Sequence, residues 1–246
     1  MTAVVEETRW LTPHLVRLVL GGDDLAAFPE PEFTDAYLKV TFPGPDGPVA
    51  RRYSVRHWDA AARLLSVDFV VHGDEGVAGP WAARARPSDV VVISPPGGAY
   101  RPDPEVAWHL MAGDESALPA IAASLTAVPA GAPVVVRLVC EGPADEIALD
   151  TPGRLDLAWL HRAGAPDPAA LLPAAVRELP FRRGAVHCFV HGEAGEVRDV
   201  RRHLLADRSV PRALLSASGY WRRTMTDEAW RRVKKAWNAE VERDVA

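Results

Sequence analysis

Cysteine is scarce in this chain of 246 residues. Its two cysteines, Cys140 and Cys188, lie separately inside apolar segments, and neither belongs to a CxxC pair. An iron-sulfur cluster normally needs four protein ligands, so we do not expect this chain to bind one. The pattern instead predicts two buried, isolated thiols.

Long hydrophobic runs and an excess of positive charge are also missing. No apolar run reaches the ~20 residues that span a bilayer. Glu6 and Glu7 stand where a signal peptide would be basic, so we expect a cytoplasmic protein without an integral membrane segment. The net charge of -5 argues against nucleic acid as a partner, because binding its phosphates would require many lysines and arginines.

Two patterns of secondary structure follow each other along the chain. Up to about residue 100, short β-branched and aromatic runs separated by Gly/Pro turns predict an antiparallel β-barrel. From about residue 106, strands alternate with helical segments, which predicts a doubly wound parallel sheet. We therefore predict a two-domain β plus α/β protein, with domains at 1-100 and 101-246 joined through the Pro- and Gly-rich segment 93-105.

The end of the sequence has a helical pattern. Four apolar residues recur at spacings of 3, 4 and 4 and should share one face: Trp230, Val233, Trp237 and Val241. This predicts a C-terminal amphipathic helix from about residue 226, with Thr226 or Asp227 as its N-cap.

Residues 51-56, RRYSVR, concentrate positive charge on a predicted strand. Alternation places Arg51 and Tyr53 on one face and Arg52, Ser54 and Arg56 on the other. A guanidinium with a nearby ring suits a phosphate-bearing aromatic ligand. The alternative is a solvent-facing strand edge, where charge prevents unwanted pairing.

Residues 67-82, VDFVVHGDEGVAGPWA, join a strand to the start of a helix through small residues. Gly76, Ala78 and Gly79 let backbone amides approach a ligand closely, and a helix start offers unpaired N-H groups to an anion. A pyrophosphate would fit there, although a plain connecting turn has the same composition.

Three strand ends in the second half also suggest a site. In HLMAGDESALPAI, residues 109-121, neither GxGxxG nor a Walker A loop is present, and Asp114 and Glu115 would repel a diphosphate. The segment better suits an uncharged end such as a nicotinamide carboxamide, or simply caps the helix. The segments 189-205 and 218-223 lie at further strand ends, where α/β proteins bind ligands.

Nearly the whole chain resembles the siderophore-interacting protein family, the flavin-dependent ferric-siderophore reductases with a ferredoxin reductase-like architecture. The segments that carry the resemblance include RRYSVR, DFVVHGDEGVAGPWA, GDESALPAI, GEAGEVRDVRRHL and GYWR. One departure is Thr224, which stands where a glycine is common in the family.

The resemblance implies an FAD-binding barrel and a nicotinamide-binding α/β domain. Arg51 would hold the FAD pyrophosphate, Tyr53 would stack on the flavin ring and Ser54 would approach flavin N5. The other implied cofactor contacts are Asp68, Val70 and His72 on the ribityl or adenine side, Val77, Ala78 and Gly79 at the pyrophosphate, Gly113, Asp114, Glu115 and Ser116 at the nicotinamide, Gly192, Glu193 and Ala194 along the rest of the dinucleotide, and Tyr220 and Trp221 near the flavin.

The implied activity is reduction of a ferric siderophore, with NADH as donor and NADPH as the alternative. A ferredoxin is another possible donor. No catalytic acid, base or resident metal is expected, because the cofactor performs the redox chemistry. Anionic siderophores would meet a basic rim of Lys39, Arg56, Arg222 and Arg223.

Glu141, Asp145 and Glu146 favour NADH because they would repel a 2'-phosphate. Two alternatives to the reductase remain open: a general flavin or quinone reductase of the same fold, and a non-catalytic siderophore-binding protein.

Overall fold

The computed structural model describes residues 1-44, 47-73 and 76-244. The chain divides into two compact units. The barrel unit comprises residues 1-101, 119-127 and 144-150, and the sheet unit comprises 102-118, 128-143 and the residues from 151 onward.

The barrel unit is built on a closed antiparallel barrel of six strands, in the order β1-β2-β5-β4-β3-β6. The strands are β1 (Thr2–Thr12), β2 (Leu15–Gly21), β3 (Tyr37–Phe42), β4 (Val49–Asp59), β5 (Leu64–Val70) and β6 (Val90–Ile93). A 3-10 turn spans Asp23–Ala27, and helix α1 (Ala78–Arg84) lies between β5 and β6. The predicted β-barrel is confirmed.

Alternating side chains make the barrel interior. On β5, Leu65, Val67 and Phe69 are completely buried in the apolar core, whereas Asp68 points to the outer face. Strand β4 follows the same rule until a bulge between Val55 and His57 interrupts its pairing with β5. Such a bulge changes the direction in which the extra residue, Arg56, projects.

The sheet unit contains a parallel sheet in the order β11-β10-β7-β8-β9. Its strands are β7 (Trp108–Asp114), β8 (Pro133–Cys140), β9 (Arg154–His161), β10 (Val186–Glu193) and β11 (Leu215–Trp221). The helices in this part of the chain are α2 (Leu118–Leu125), α3 (Leu171–Arg177), α4 (Ala194–Arg202), extended by a π turn at His203–Asp207, and α5 (Asp227–Arg243). Short 3-10 turns occur at Pro143–Asp145, Pro168–Ala170 and Arg212–Leu214.

Strand β7 lies at the centre of this sheet, and all seven of its residues are buried. Helices α3 and α4 supply Leu172, Val176 and Val197 to the core that includes β7. A strand covered on both faces is expected in a doubly wound sheet, and that prediction is confirmed. The prediction of two buried thiols is also confirmed, and burial raises the pKa of Cys188 to about 12.

Helix α5 confirms the C-terminal amphipathic helix but corrects one position on it. Thr226 Oγ1 accepts a hydrogen bond from Ala229 N, and Trp230, Trp237 and Val241 are buried against Ala194. Val233 is 41% exposed, so the prediction that it shares the buried face was wrong. At ~100° per residue, position 233 lies about 60° from Trp230, at the border of the stripe.

Candidate functional site

In the barrel unit, the RRYSVR motif lies on β4 with the predicted alternation. Arg51 and Tyr53 pair with Val40 and Leu38 of β3, whose side chains point into the barrel. The Tyr53 ring is half-buried, and its centroid lies 4.2 Å from that of Phe69. The neighbouring core therefore fixes the position of this ring.

The same aromatic cluster holds helix α1. Phe42 contacts Tyr53 on one side, with centroids 6.3 Å apart, and Trp81 of α1 on the other, at 5.2 Å. The cluster thus packs α1 against the part of the barrel core that contains Tyr53. A Cβ on Gly79 would stand 3.2 Å from Val70 O, so glycine allows the helix to pack closely on β5.

The amino end of α1 is of interest because the first N-H groups of a helix have no partner within the helix itself. Among the described residues, no side chain caps this end, whose N-cap residue is Val77. A fixed aromatic ring, an arginine on the same strand face and the start of a helix that packs on the same core are the kinds of group that fit the ring and the phosphates of FAD. Ser54 lies on the opposite face of β4 and is buried.

Asp68 and Arg17 form a pair on the outer face of the barrel that the sequence did not reveal. Arg17 Nε and Nη2 donate to the two carboxylate oxygens of Asp68 at 2.6 and 2.7 Å. This contact raises the pKa of Arg17, although burial opposes the shift. Both Asp68 oxygens are thus engaged by the protein itself, whereas His72 is exposed and Val70 half-buried.

Arg56 differs from an ordinary surface cation. Its Nε is shielded from solvent and has no hydrogen-bond partner within the described ranges. Burial lowers the pKa of Arg56, and the neighbouring positive charge of Arg17 lowers it further. Of the other predicted rim residues, Lys39 is exposed and Arg222 half-buried.

In the sheet unit, Asp114 connects three strand ends. Its Oδ1 accepts from Ser116 N and Oγ, and its Oδ2 accepts from Glu193 N and Trp221 Nε1 at 2.8 Å each. The residue is 1% exposed, and burial raises the pKa of its carboxyl group. The predicted residues Asp114, Ser116, Glu193 and Trp221 are therefore brought together.

Three more buried carboxylates lie in this region. We call Asp114, Glu115, Glu193 and Glu196 the acid cluster. Arg162 pairs with Glu115, and Arg223 Nη2 donates to Glu196 at 2.6 Å. Burial, reinforced by Asp114 and Glu193, raises the pKa of Glu196 to about 8. Arg223 is consequently an internal partner of the cluster.

Glu193 caps helix α4. Its Oε2 accepts from Gly195 N and Glu196 N, and its Oε1 accepts from Arg223 N. The first amides of this helix are thus already bonded to a carboxylate. Ala194 is completely buried, and Gly192 has a φ of 140°. A diphosphate at this helix end would have to displace Glu193.

Glycine is required at the end of β7. A Cβ on Gly113 would stand 2.3 Å from His191 O, too close for any side chain.

Tyr220 lies on β11, next to β10 in the sheet. Its ring is half-buried, and the ring centroid lies 5.0 Å from that of His191. Thr224, where the family commonly has glycine, has a left-handed φ of 65°.

The three acidic residues proposed to repel a 2'-phosphate have different surroundings. Asp145 is 5% exposed, and its Oδ1 accepts from His14 Nδ1 at 2.8 Å within the barrel unit. Glu141 and Glu146 are exposed. Asp145 is thus mainly a partner of His14.

Two family models account for most of the sequence. Residues 106–224 match the siderophore-interacting protein model, and residues 4–48 and 43–100 match the siderophore-interacting FAD-binding domain. The chain belongs to the siderophore-interacting protein family, and its first hundred residues contain the FAD-binding domain of that family.

Individual relatives agree with this assignment. The ferric vibriobactin reductase ViuB of Vibrio cholerae is 33% identical over 249 residues, covering 90% of this chain and 89% of that protein. The crystal structure of the siderophore-interacting protein SipS from Aeromonas hydrophila matches with a TM-score of 0.87 at 29% identity, over 97% of this chain and 98% of that chain. The ferredoxin reductase in carbazole 1,9a-dioxygenase, at 19% identity, shares the fold with a TM-score of 0.70 over 90% of this chain and 69% of its own.

The described residues contain no helix long and apolar enough to cross a membrane. No group of three or more His, Cys, Asp or Glu side chains in the described ranges is arranged to hold a metal ion.

Proposed function

We propose that this protein is a cytoplasmic, FAD-dependent reductase of ferric siderophores that takes its electrons from NADH. One NADH would reduce two ferric complexes, yielding NAD⁺, a proton and two Fe(II). Hard oxygen ligands hold Fe(II) less tightly than Fe(III), so the iron would be released. The FAD-binding family model and the 33% identity to a ferric vibriobactin reductase support this proposal.

The observation that carries the proposal is the aromatic cluster that joins Tyr53 of β4 to Trp81 of α1 through Phe42. Phe42 contacts both Tyr53 of β4 and Trp81 of α1, and Val77 at the N-cap of α1 packs against the same barrel core. Arg51 would bind the pyrophosphate by charge-assisted hydrogen bonds, and Tyr53 would provide the flat surface for the ring. FAD, when bound, accepts two electrons together and can give them up singly.

The sheet unit would receive the nicotinamide. The acid cluster contains four carboxylates and two arginine partners, so it disfavours a phosphate at the ends of β7 and β10. Gly113, Ser116 and Trp221 would border the uncharged carboxamide instead. We favour NADH over NADPH because the exposed Glu141 and Glu146 would repel the additional phosphate.

The siderophore would be recognised through its negative charge. Lys39 and Arg222 would attract an anionic ferric complex electrostatically, whereas Arg56, held half-buried next to Arg17, would contribute a less hydrated cation. Arg223 is engaged by Glu196, so we assign it to positioning the acid cluster rather than to the siderophore.

FAD binding gives a test that does not depend on turnover. We expect Arg51→Gln to weaken FAD affinity by roughly 10- to 100-fold, because hydrogen bonds to charged groups contribute about 1.5 to 3 kcal/mol. Arg52→Gln is the matched control, since Arg52 is the next residue on the opposite face of β4. Flavin fluorescence titration measures both values, and equal losses in the two variants would contradict the assignment of Arg51.

Activity assays distinguish the reductase from its two alternatives. The purified protein with FAD should absorb near ~450 nm and should reduce a ferric siderophore with NADH, with the Fe(II) trapped by a ferrous chelator. Equal or faster reduction of free flavin or a quinone would favour a general reductase. A protein that shows no flavin absorbance even after FAD is added, but still binds ferric siderophore, would favour the non-catalytic binding protein. A strong preference for NADPH, or activity with reduced ferredoxin alone, would overturn the NADH proposal.

A further inference from the structure

Trp221 ends strand β11 at a place where the pairing with β10 is irregular. The register passes from Gly192 opposite Gly219 directly to Glu193 opposite Trp221, so that β11 has one extra residue, Tyr220. Such an irregularity changes the direction in which neighbouring side chains project. The strand pairing alone therefore does not determine where the indole ring of Trp221 points.

A hydrogen bond fixes the edge of this ring. Trp221 Nε1 donates to Asp114 Oδ2 at 2.8 Å, and the backbone N-H of Glu193 donates to the same oxygen at the same distance. Trp221 and Glu193 end β11 and β10, and Asp114 ends β7. The Asp114 carboxylate thus holds the indole in a fixed position relative to the ends of β7 and β10.

One face of the ring is restrained as well. The guanidinium carbon of Arg223 lies 5.8 Å from the centroid of the Trp221 ring, within the range of a cation-π contact. Arg223 is held in turn by Glu196, to which its Nη2 donates at 2.6 Å. The protein therefore occupies one edge and one face of the indole, while Trp221 as a whole is only half-buried and remains partly accessible to a ligand.

The backbone next to Asp114 leaves room for this contact. Gly192 has a φ of 140°, and a Cβ at this position would stand 2.7 Å from Asp114 Oδ2, the oxygen that accepts from Trp221. Glycine adopts this conformation readily and leaves the space empty. A side chain at position 192 would have to displace the carboxylate from Trp221.

Both oxygens of Asp114 are already engaged. Its Oδ1 accepts from the N-H and the hydroxyl of Ser116, so that each carboxylate oxygen has two donors. Asp114 is 1% exposed, so a ligand cannot reach the carboxylate itself. Three of the four donors are N-H groups, which cannot accept a hydrogen bond, so a carboxylate suits this position and an amide does not.

We propose that Asp114 is a positioning residue, which holds the Trp221 indole in the orientation in which it borders the bound nicotinamide of NADH. An aromatic ring that is fixed before binding can contact a flat ligand without losing side-chain freedom. This inference rests on the proposed reductase function, because that function supplies the nicotinamide. The role of Asp114 thereby changes from a cofactor contact to a residue that acts through Trp221.

The first test follows the indole N-H of Trp221 by NMR of the full-length protein. The chain has eight tryptophans, and Trp221→Phe identifies the resonance of interest. In Asp114→Asn, we expect this indole proton to exchange with solvent at least ~10-fold faster than in the parent, because its hydrogen bond to a charged group is lost. The indole proton of Trp159, which is half-buried on β9, should exchange as in the parent.

The second test measures hydride transfer. When the FAD-loaded protein is mixed with NADH without oxygen, the loss of absorbance near ~450 nm gives the rate of flavin reduction. Asp114→Asn and Trp221→Phe should each lower this rate roughly tenfold and change the Kd of NADH less than ~3-fold, because a misplaced reactant loses rate more than affinity. Trp159→Phe, the same substitution at another half-buried tryptophan of the sheet unit, should react like the parent.

A double-mutant cycle shows whether Asp114 acts through Trp221. Trp221→Phe has no indole N-H to hold, so adding Asp114→Asn to it should lower the rate of flavin reduction by less than a further ~2-fold. An equal loss in both backgrounds would overturn the proposal, because Asp114 would then act independently of Trp221. Unchanged exchange of the indole proton in Asp114→Asn would also overturn it.

Two further outcomes are decisive. If Asp114→Asn does not fold, Trp221→Phe decides alone, and a rate of flavin reduction equal to that of the parent would overturn the proposal. If NADH reduces the FAD of the parent but the cycle shows no coupling, the positioning role fails and the reductase function stands. If NADH does not reduce the FAD of the parent, both fail.

Discussion

Arg162 forms a bidentate ion pair with Glu115, with Nη1 to Oε1 at 2.5 Å and Nη2 to Oε2 at 2.6 Å. The two side chains are only 14% and 9% exposed. Burial alone would lower the pKa of Arg162, but the hydrogen bonds and charge of Glu115 raise it overall. The pair thus ties the residue after β9 to the loop after β7.

Removing one partner of this pair should be costly. We expect Arg162→Met to lower the free energy of unfolding by about 3 to 5 kcal/mol, because it leaves the buried Glu115 unpaired. Arg154→Met, on the exposed start of the same strand, should change stability by less than ~0.5 kcal/mol. Urea unfolding measures both, and similar midpoints for the two variants would refute a stabilising role for the pair.

His109 should make the protein sensitive to acid. Its ring is completely buried, and neither ring nitrogen has a hydrogen-bond partner among the described residues. Burial, with a smaller effect of His187, lowers the pKa of His109 from 6.5 to about 4, and Asp103 opposes the shift. The pKa of His109 is lower in the folded state than in the unfolded state. The stability that depends on neutral His109 is therefore fully present above pH 6.5 and is lost as the pH falls towards 4.

His109→Leu should flatten this part of the pH profile, because it removes the group that must charge in the unfolded state. His57→Leu serves as the control, since His57 is exposed. Melting temperatures measured between roughly pH 7.5 and 4.5 compare the two variants with the parent. If the melting temperature of His109→Leu fell with decreasing pH as steeply as that of the parent, the acid sensitivity would come from other groups, such as His187 or His191.

Glu196 should produce the opposite dependence on pH. Its pKa is raised from 4.5 to about 8, chiefly by burial. Because the folded pKa of this acid is the higher one, its contribution to stability is complete below pH 4.5 and is lost as the pH rises towards 8. Glu196→Gln removes the titration and keeps a carbonyl oxygen as acceptor for Arg223.

We therefore expect Glu196→Gln to lose less stability than the parent between roughly pH 5 and 8 in chemical unfolding. Glu178→Gln is the matched control because Glu178 is exposed and lies outside the acid cluster. If both variants followed the parent profile, the buried carboxyl group of Glu196 would not titrate as proposed.

Replacing either of two apolar residues of α5, Val233 and Trp237, by alanine should have very different effects on the free energy of unfolding. Trp237→Ala removes a ring that packs 5.2 Å from Trp230, and should cost about 3 to 5 kcal/mol. Val233→Ala removes an exposed side chain and should cost less than ~0.5 kcal/mol. Thermal unfolding distinguishes these values. A large loss of stability in Val233→Ala would show that Val233 belongs to the buried face after all.

Much of the fold follows from local patterns in the sequence. Alternation in RRYSVR predicts which face Arg51 and Tyr53 share, because strand side chains alternate in any context. The bulge at Arg56 is not predictable in this way, since it depends on how β4 pairs with β5. The prediction for Val233 is wrong for a related reason. Helical spacing gives the direction of an apolar stripe, whereas the width of the stripe depends on what the helix packs against.

Less of the candidate site than of the fold can be predicted from the sequence. Asp114 and Glu115 are identified because they follow a strand directly. The partner of Glu115, Arg162, is 47 residues away, and their contact depends on the order of β7, β8 and β9 in the sheet. Arg17 and Asp68 are likewise joined only by the pairing of β2 with β5. A position directly after a strand was a usable signal for Arg162 as well as for Glu115, but the sequence does not indicate that the two residues pair.

Strand β7 limits how the protein can change in evolution. It begins at Trp108, which packs against Phe181 in the core, and ends at Asp114, which connects the residues of the acid cluster, and every residue between them is buried. One inserted or deleted residue would turn all side chains beyond it to the other face of the sheet. Related lineages can therefore alter the side chains at either end of β7 by substitution, while changes in length must be confined to exposed segments such as 163-167.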